Sequence, residues 1–236
     1  MRGDTNAFAA VPSSGRVPPQ HVPPTQEGTA LLYGILALTF VQFHPSSPTG
    51  DTRLFAWFGL NFLLLFVGPA LIIRFVWKRR LRDYGVQWGN AATWGRYFLA
   101  FFLLMVPVAL ISSRNPDFHA YYPRAEMARL SVGGWALSAA GWLVYFFAWE
   151  FFFRGFLLFT LAPRYGGAIA VLIQMIPFAM AHYAKLEAEA WSAIFCGIAL
   201  GVMAYRGRSF VGTWLLHWAV ATLMDVCVLL WPLGPS

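Results

Sequence analysis

Two ionisable residues interrupt an apolar stretch in the middle of this chain. They are Glu150 and Arg154, in Trp149-Glu150-Phe151-Phe152-Phe153-Arg154-Gly155. The surrounding run, 141–162, is long enough to cross a bilayer, where a single charge costs roughly 2.5–3.5 kcal/mol on insertion scales. Positions i and i+4 share a helix face, so the acid and the base can pair. Such a pair either marks a functional site or fixes helix packing. Two histidines also fall within or at the end of apolar runs: His182, in Pro177-Phe178-Ala179-Met180-Ala181-His182, and His217, in Thr213-Trp214-Leu215-Leu216-His217-Trp218. One such histidine is ordinarily a hydrogen-bonded packing residue. A glutamate and two histidines on three separate runs can hold a catalytic zinc, or move protons to and from an attacking water. Asp225 lies about 12 Å further along its helix than His217 and is assigned to another layer. Glu187 and Glu189, beside Lys185, are expected in a solvated loop. Gly197 and Gly201 are spaced for close helix packing.

The elements that must position these residues follow from composition. The chain has 236 residues, 58% hydrophobic and 11% charged, whereas soluble domains run near 25% charged. The expected fold is all-α, a polytopic transmembrane bundle of seven to eight helices, in an integral, multi-pass membrane protein without β-sheet. Seven apolar runs support it: 29–43, 54–77, 94–111, 134–162, 166–181, 190–205 and 210–231. Between the third and fourth, 112–129 is polar and suits an interfacial helix. Residues 1–28, rich in Pro, Ser, Gly and Gln, read as a disordered tail. Residues 29–133 read as N-terminal transmembrane helices and 134–232 as the core that carries the site.

The formal charge of +7 comes from basic residues gathered in short loops. This orients spans in the lipid bilayer and does not indicate nucleic-acid binding. With the N-terminus inside, eleven Lys and Arg fall on the inner side and five on the outer, with Arg154 inside a span. A cytoplasmic N-terminus is therefore expected. Cys196 and Cys227 lie in apolar runs and read as small hydrophobes.

Taken together, these residues resemble the CAAX protease and bacteriocin-processing (Abi) family of intramembrane proteases, which includes the type 2 CAAX prenyl proteases. The family motif E-E-x-x-x-R is matched by 149–154, F-x-x-x-H by Phe178 through His182, and H-x-x-x-N by His217 alone. Lys185, Glu189, Gly197 and Gly201 also fall where bacterial members carry such residues. The resemblance covers about 134–225. Two positions depart from it: Trp149 stands for the first Glu of the motif, and Ala221 for the Asn.

The resemblance implies an endopeptidase that cuts membrane-tethered peptides with an activated water. His182 would be a metal ligand or general base. Glu150 would help to activate the water, unless Arg154 holds it in a structural role. His217 would be a metal ligand or oxyanion donor. If a metal is bound, His182, His217 and Glu150 are its expected ligands and Zn its expected identity. Glu150, His182 and His217 should then share one polar cavity, with the two histidines within roughly 12 Å, because metal–ligand bonds are only about 2 Å. The departures admit an alternative, a catalytically impaired member that binds membrane peptides as an immunity or regulatory protein. A small transporter with a proton-carrying Glu and His is a third reading, which the ordered motifs do not favour.

Overall fold

The computed structural model describes residues 24–43 and 50–231. Among them there are helices and turns and no strand. The long elements are α1 (Pro24–Phe43), α2 (Asp51–Val76), α3 (Ala91–Ser112), α5 (Val132–Glu150), α6 (Leu158–Met180), α7 (Glu187–Gly207) and α8 (Val211–Leu230). A short helix, α4 (Pro116–Tyr121), lies in the polar stretch where an interfacial helix was expected.

Helix starts follow local chemistry. Ser131 caps α5, its hydroxyl accepting from the Gly134 amide at 3.0 Å, and Asn90 caps α3 through the Thr93 amide at 3.0 Å. Such caps satisfy amides that have no partner within the helix. Helix α1 begins at Pro24, earlier than the expected tail boundary at 28. Proline suits a first helical turn, where its missing N–H is not needed. The rest of that tail, 1–23, lies outside the described residues.

Among the described residues five helical stretches are long and apolar enough to cross a membrane, and one of them, Val132–Met180, has 49 residues. A single crossing needs about 20. The stretch runs from α5 through a π-helical segment, Phe151–Leu157, into α6, and it breaks at Gly166 (φ 77°, ψ 159°). There the chain doubles back, so that Phe178 packs edge-on against Phe153 at 5.2 Å. This backbone region is essentially restricted to glycine. Counting both arms of the stretch, together with α1, gives seven long helical arms among the described residues.

Helices α2, α5 and α8 meet over an aromatic core that contains Phe58, Tyr145, Phe151 and Phe210. Helix α8 is tied to α5 by two indoles: Trp214 Nε1 donates to the Leu143 carbonyl (2.8 Å) and Trp218 Nε1 to the Ala139 carbonyl (2.9 Å). On the outside, Leu99, Leu103, Leu104, Leu110 and Ile111 of α3 are exposed, as expected of a face turned to lipid.

Candidate active site

Glu150 closes α5 and Arg154 lies one turn on, within the π-helical segment. Both are fully buried, and Arg154 Nη1 donates to Glu150 Oε1 at 3.0 Å. The same oxygen faces His217 Nδ1 at 2.7 Å. The guanidinium also lies 4.0 Å over the Phe178 ring, a favourable place for a desolvated cation. Gly155 allows close approach on the next position, since a Cβ there would come within 2.8 Å of the Tyr84 carbonyl. The acid and base are therefore paired as their spacing suggests, and the pair is completed by a histidine from another helix.

His182 lies just past α6, 4% exposed. Its Nδ1 is 2.7 Å from the Phe178 carbonyl. A carbonyl only accepts, so Nδ1 carries the proton and Nε2 keeps its lone pair. His217 stacks on Phe146 with centroids 4.1 Å apart. The Phe178 ring lies 4.6 Å from the His182 ring and 6.3 Å from the His217 ring. The two imidazoles are thus no further apart than those distances laid end to end, which is inside the roughly 12 Å that shared chemistry allows. Trp149, in place of a second acid, stands edge-on to His182 at 5.9 Å. Its indole N–H is buried without an acceptor. Ala221 packs against the aromatic core.

The structure also recruits residues that the sequence reading left in solvent. Glu189 is in the first turn of α7, not in a loop. Its carboxylate accepts from Lys185 Nζ (2.7 Å) and from the Tyr122 hydroxyl (2.9 Å). The i,i+4 spacing of Lys185 and Glu189 was the available signal, whereas Tyr122 is 67 positions away and gave none. Outside the spans, burial and the neighbouring Glu189 carboxylate push the Tyr122 phenol well above its ordinary pKa. Glu187 is exposed. Gly197 and Gly201 make close helix packing: a Cβ would meet Met175 and Phe178 at the first, and Gln174 and Val171 at the second.

Glu150 Oε1, of the expected zinc ligands, is taken by Arg154 and His217, while its Oε2 is buried with no hydrogen-bond partner. Among the described residues no three His, Cys, Asp or Glu side chains are gathered closely enough to hold an ion.

The apolar helices point to an integral membrane protein, and the polar cluster is buried inside its bundle. Residues 129–223, which contain all four of Glu150, Arg154, His182 and His217, match the family described as Rce1-like, type II CAAX prenyl endopeptidase Rce1-like. The match agrees, over that segment, with the resemblance carried by the three motifs, and supports a CAAX protease-type function. Neither the curated proteins nor the solved structures yield a significant match.

Proposed function

We propose that this protein is an intramembrane endopeptidase that cleaves membrane-tethered peptides, such as prenylated C-termini, with water activated by His217. The observation that carries this reading is the 2.7 Å contact between His217 Nδ1 and the Glu150 carboxylate. The carboxylate accepts a hydrogen bond from Nδ1–H, which leaves the Nε2 lone pair as a base, and Arg154 balances the carboxylate charge. His217 Nε2 takes a proton from water, and the hydroxide oxygen bonds to the scissile carbonyl carbon. The imidazolium then gives its proton to the peptide nitrogen as the C–N bond breaks, leaving a carboxylic acid and an amine. His182 Nε2, the second free lone pair, accepts the other hydrogen of the water and orients it. General base catalysis of this kind contributes about 10²–10⁴-fold. The basic end of the bundle, with Lys78, Arg80, Arg82, Arg96, Arg206 and Arg208 exposed, faces the cytoplasm in this reading, as does the N-terminus.

The test is cleavage of a fluorogenic prenylated peptide by purified protein in liposomes. His217→Ala and His182→Ala should be folded and inactive. Cleavage by His217→Ala at the parent rate would sink the mechanism.

One observation favours a second reading. Trp149 fills the position beside His182, and the only acid in the motif is fully buried in an ion pair. A chain that binds peptides without cutting them would show the same arrangement. A parent inert on every prenylated peptide, with cleavage appearing in Trp149→Glu, would establish the impaired form.

A further inference from the structure

We propose that α4 is a gate over the Glu150–His182–His217 cluster, and that the hydrogen-bonded chain Tyr122–Glu189–Lys185 is its latch. The inference rests on the reading that a peptide must reach that cluster. In this structure it cannot. Glu150 is 0% exposed and His182 4%, and only the His217 side chain, at 17%, has an opening. Some element must therefore move.

Helix α4 has the attachments of such an element. It is six residues long, and its one buried side chain is Phe118. Phe118 packs with Ala109, Met224, Cys227 and Val228 in a small cluster separate from the aromatic core, with Tyr122 and Leu186 at its margin. Arg129 holds α4 together by donating to the carbonyls of His119 and Tyr122. Behind it the chain is anchored firmly: the Met127 amide donates to Asp51 at 3.0 Å, and Gly134 lies directly under the Met127 carbonyl.

The latch ties the free side of α4 to the site. Tyr122 donates to Glu189, and Glu189 holds Lys185, whose own amide bonds the His182 carbonyl at 3.0 Å. Tension on α4 is thus passed to the turn that carries His182. A groove of about 280 Å³, lined by Asp117, Ala120, Tyr121 and Leu186, runs along this seam. Parting the seam would need the Tyr122–Glu189 bond to break, while the anchor at Met127 stays in place.

The experiment measures access to the site directly. Purified protein in liposomes is treated with diethylpyrocarbonate, and modification of His182 and His217 is followed by mass spectrometry, with an added histidine-containing peptide as the reference. Tyr122→Phe keeps the ring and removes only the latch hydroxyl. A hydrogen bond to a charged group is worth roughly 1.5–3 kcal/mol, so His182 should be modified about tenfold faster or more. A second variant works in the other direction. Tyr122→Cys with Glu189→Cys, in a chain carrying Cys196→Ala and Cys227→Ala and bridged by a bis-maleimide with a reducible spacer, should protect His182, and reduction should restore access. Equal His182 modification in Tyr122→Phe and parent, or unprotected His182 in the bridged pair, overturns the gate. Latch-dependent modification with no peptide cleavage by any form would leave the gate standing and remove the protease reading.

Discussion

Glu150 is the residue on which packing and chemistry meet, and Glu150→Gln tests both. The substitution keeps the shape and one acceptor oxygen but removes the negative charge. Arg154 is then a fully buried cation with no counter-charge, retaining the Phe178 and Phe153 rings. Removing one partner of a buried ion pair costs about 3–5 kcal/mol. At about 2–4 °C per kcal/mol for a chain of this size, the Tm in detergent should fall by about 6–20 °C. Arg154→Met should cost a similar amount, because it strands the carboxylate instead. The double variant should recover about 0.5–3 kcal/mol relative to the sum of the two, since the stranded charge disappears. Thermal unfolding followed by tryptophan fluorescence measures all four forms. At a temperature where Glu150→Gln is folded, its kcat should fall about 10²–10⁴-fold, because His217 loses the carboxylate that orients it. An unchanged Tm together with strictly additive costs would refute the ion-pair reasoning. A destabilised but fully active Glu150→Gln would refute the proposed role of the carboxylate.

Gly166→Ala places a side chain at φ 77° and should lower stability by about 1–3 kcal/mol, read as a drop in Tm with α-helical circular dichroism retained at low temperature. Gly197→Ala would bring a Cβ to 2.8 Å from Met175 and 3.1 Å from Phe178; overpacking of about 1–3 kcal/mol is expected, and cleavage should fall further than in Gly201→Ala because Phe178 lies between the two histidines. Ser209→Ala removes a buried hydroxyl whose one proton goes to the Gln87 carbonyl, with the Gly85 carbonyl a more distant second acceptor, and which accepts from the Val211 amide; a loss of about 1–3 kcal/mol is expected, with faster proteolysis of the loop before α3.

The helical runs were legible because bilayer-length apolar segments announce themselves by length alone, and the break between 162 and 166 was marked by Pro163, Arg164 and two glycines. Phase was not legible. In a run as short and aromatic as Phe151–Leu157, with Arg154 its one polar side chain, no periodicity distinguishes α from π winding, so the wider turn there left no trace in the residue types. The start of α1 had a signal that was read the wrong way: Pro23-Pro24 followed by Glu27 is a helix opening as well as a tail composition. At the site, Glu150 and Arg154 were readable from their i,i+4 spacing. The choice of His217 as the partner of Glu150, and of Trp149 as the neighbour of His182, depends on how α5, α6 and α8 cross. Contacts between residues 67 positions apart cannot be read from local spacing.

The length of α5 and its continuation carries a consequence for the host lipid. From Val132 to Gly166 the helix extends about 50 Å at 1.5 Å per residue, against a hydrocarbon layer of about 30 Å. Such an excess is accommodated by tilting, by local thickening of the lipid, or by leaving an end in water. Glu150 falls close to the midpoint of this length, so each of those adjustments changes its depth and the angle at which α8 brings His217 to it. Bilayer thickness thereby becomes a setting of the site itself. The same chain reconstituted in short-chain and long-chain lipids would hold one cluster of side chains in two different dielectric surroundings.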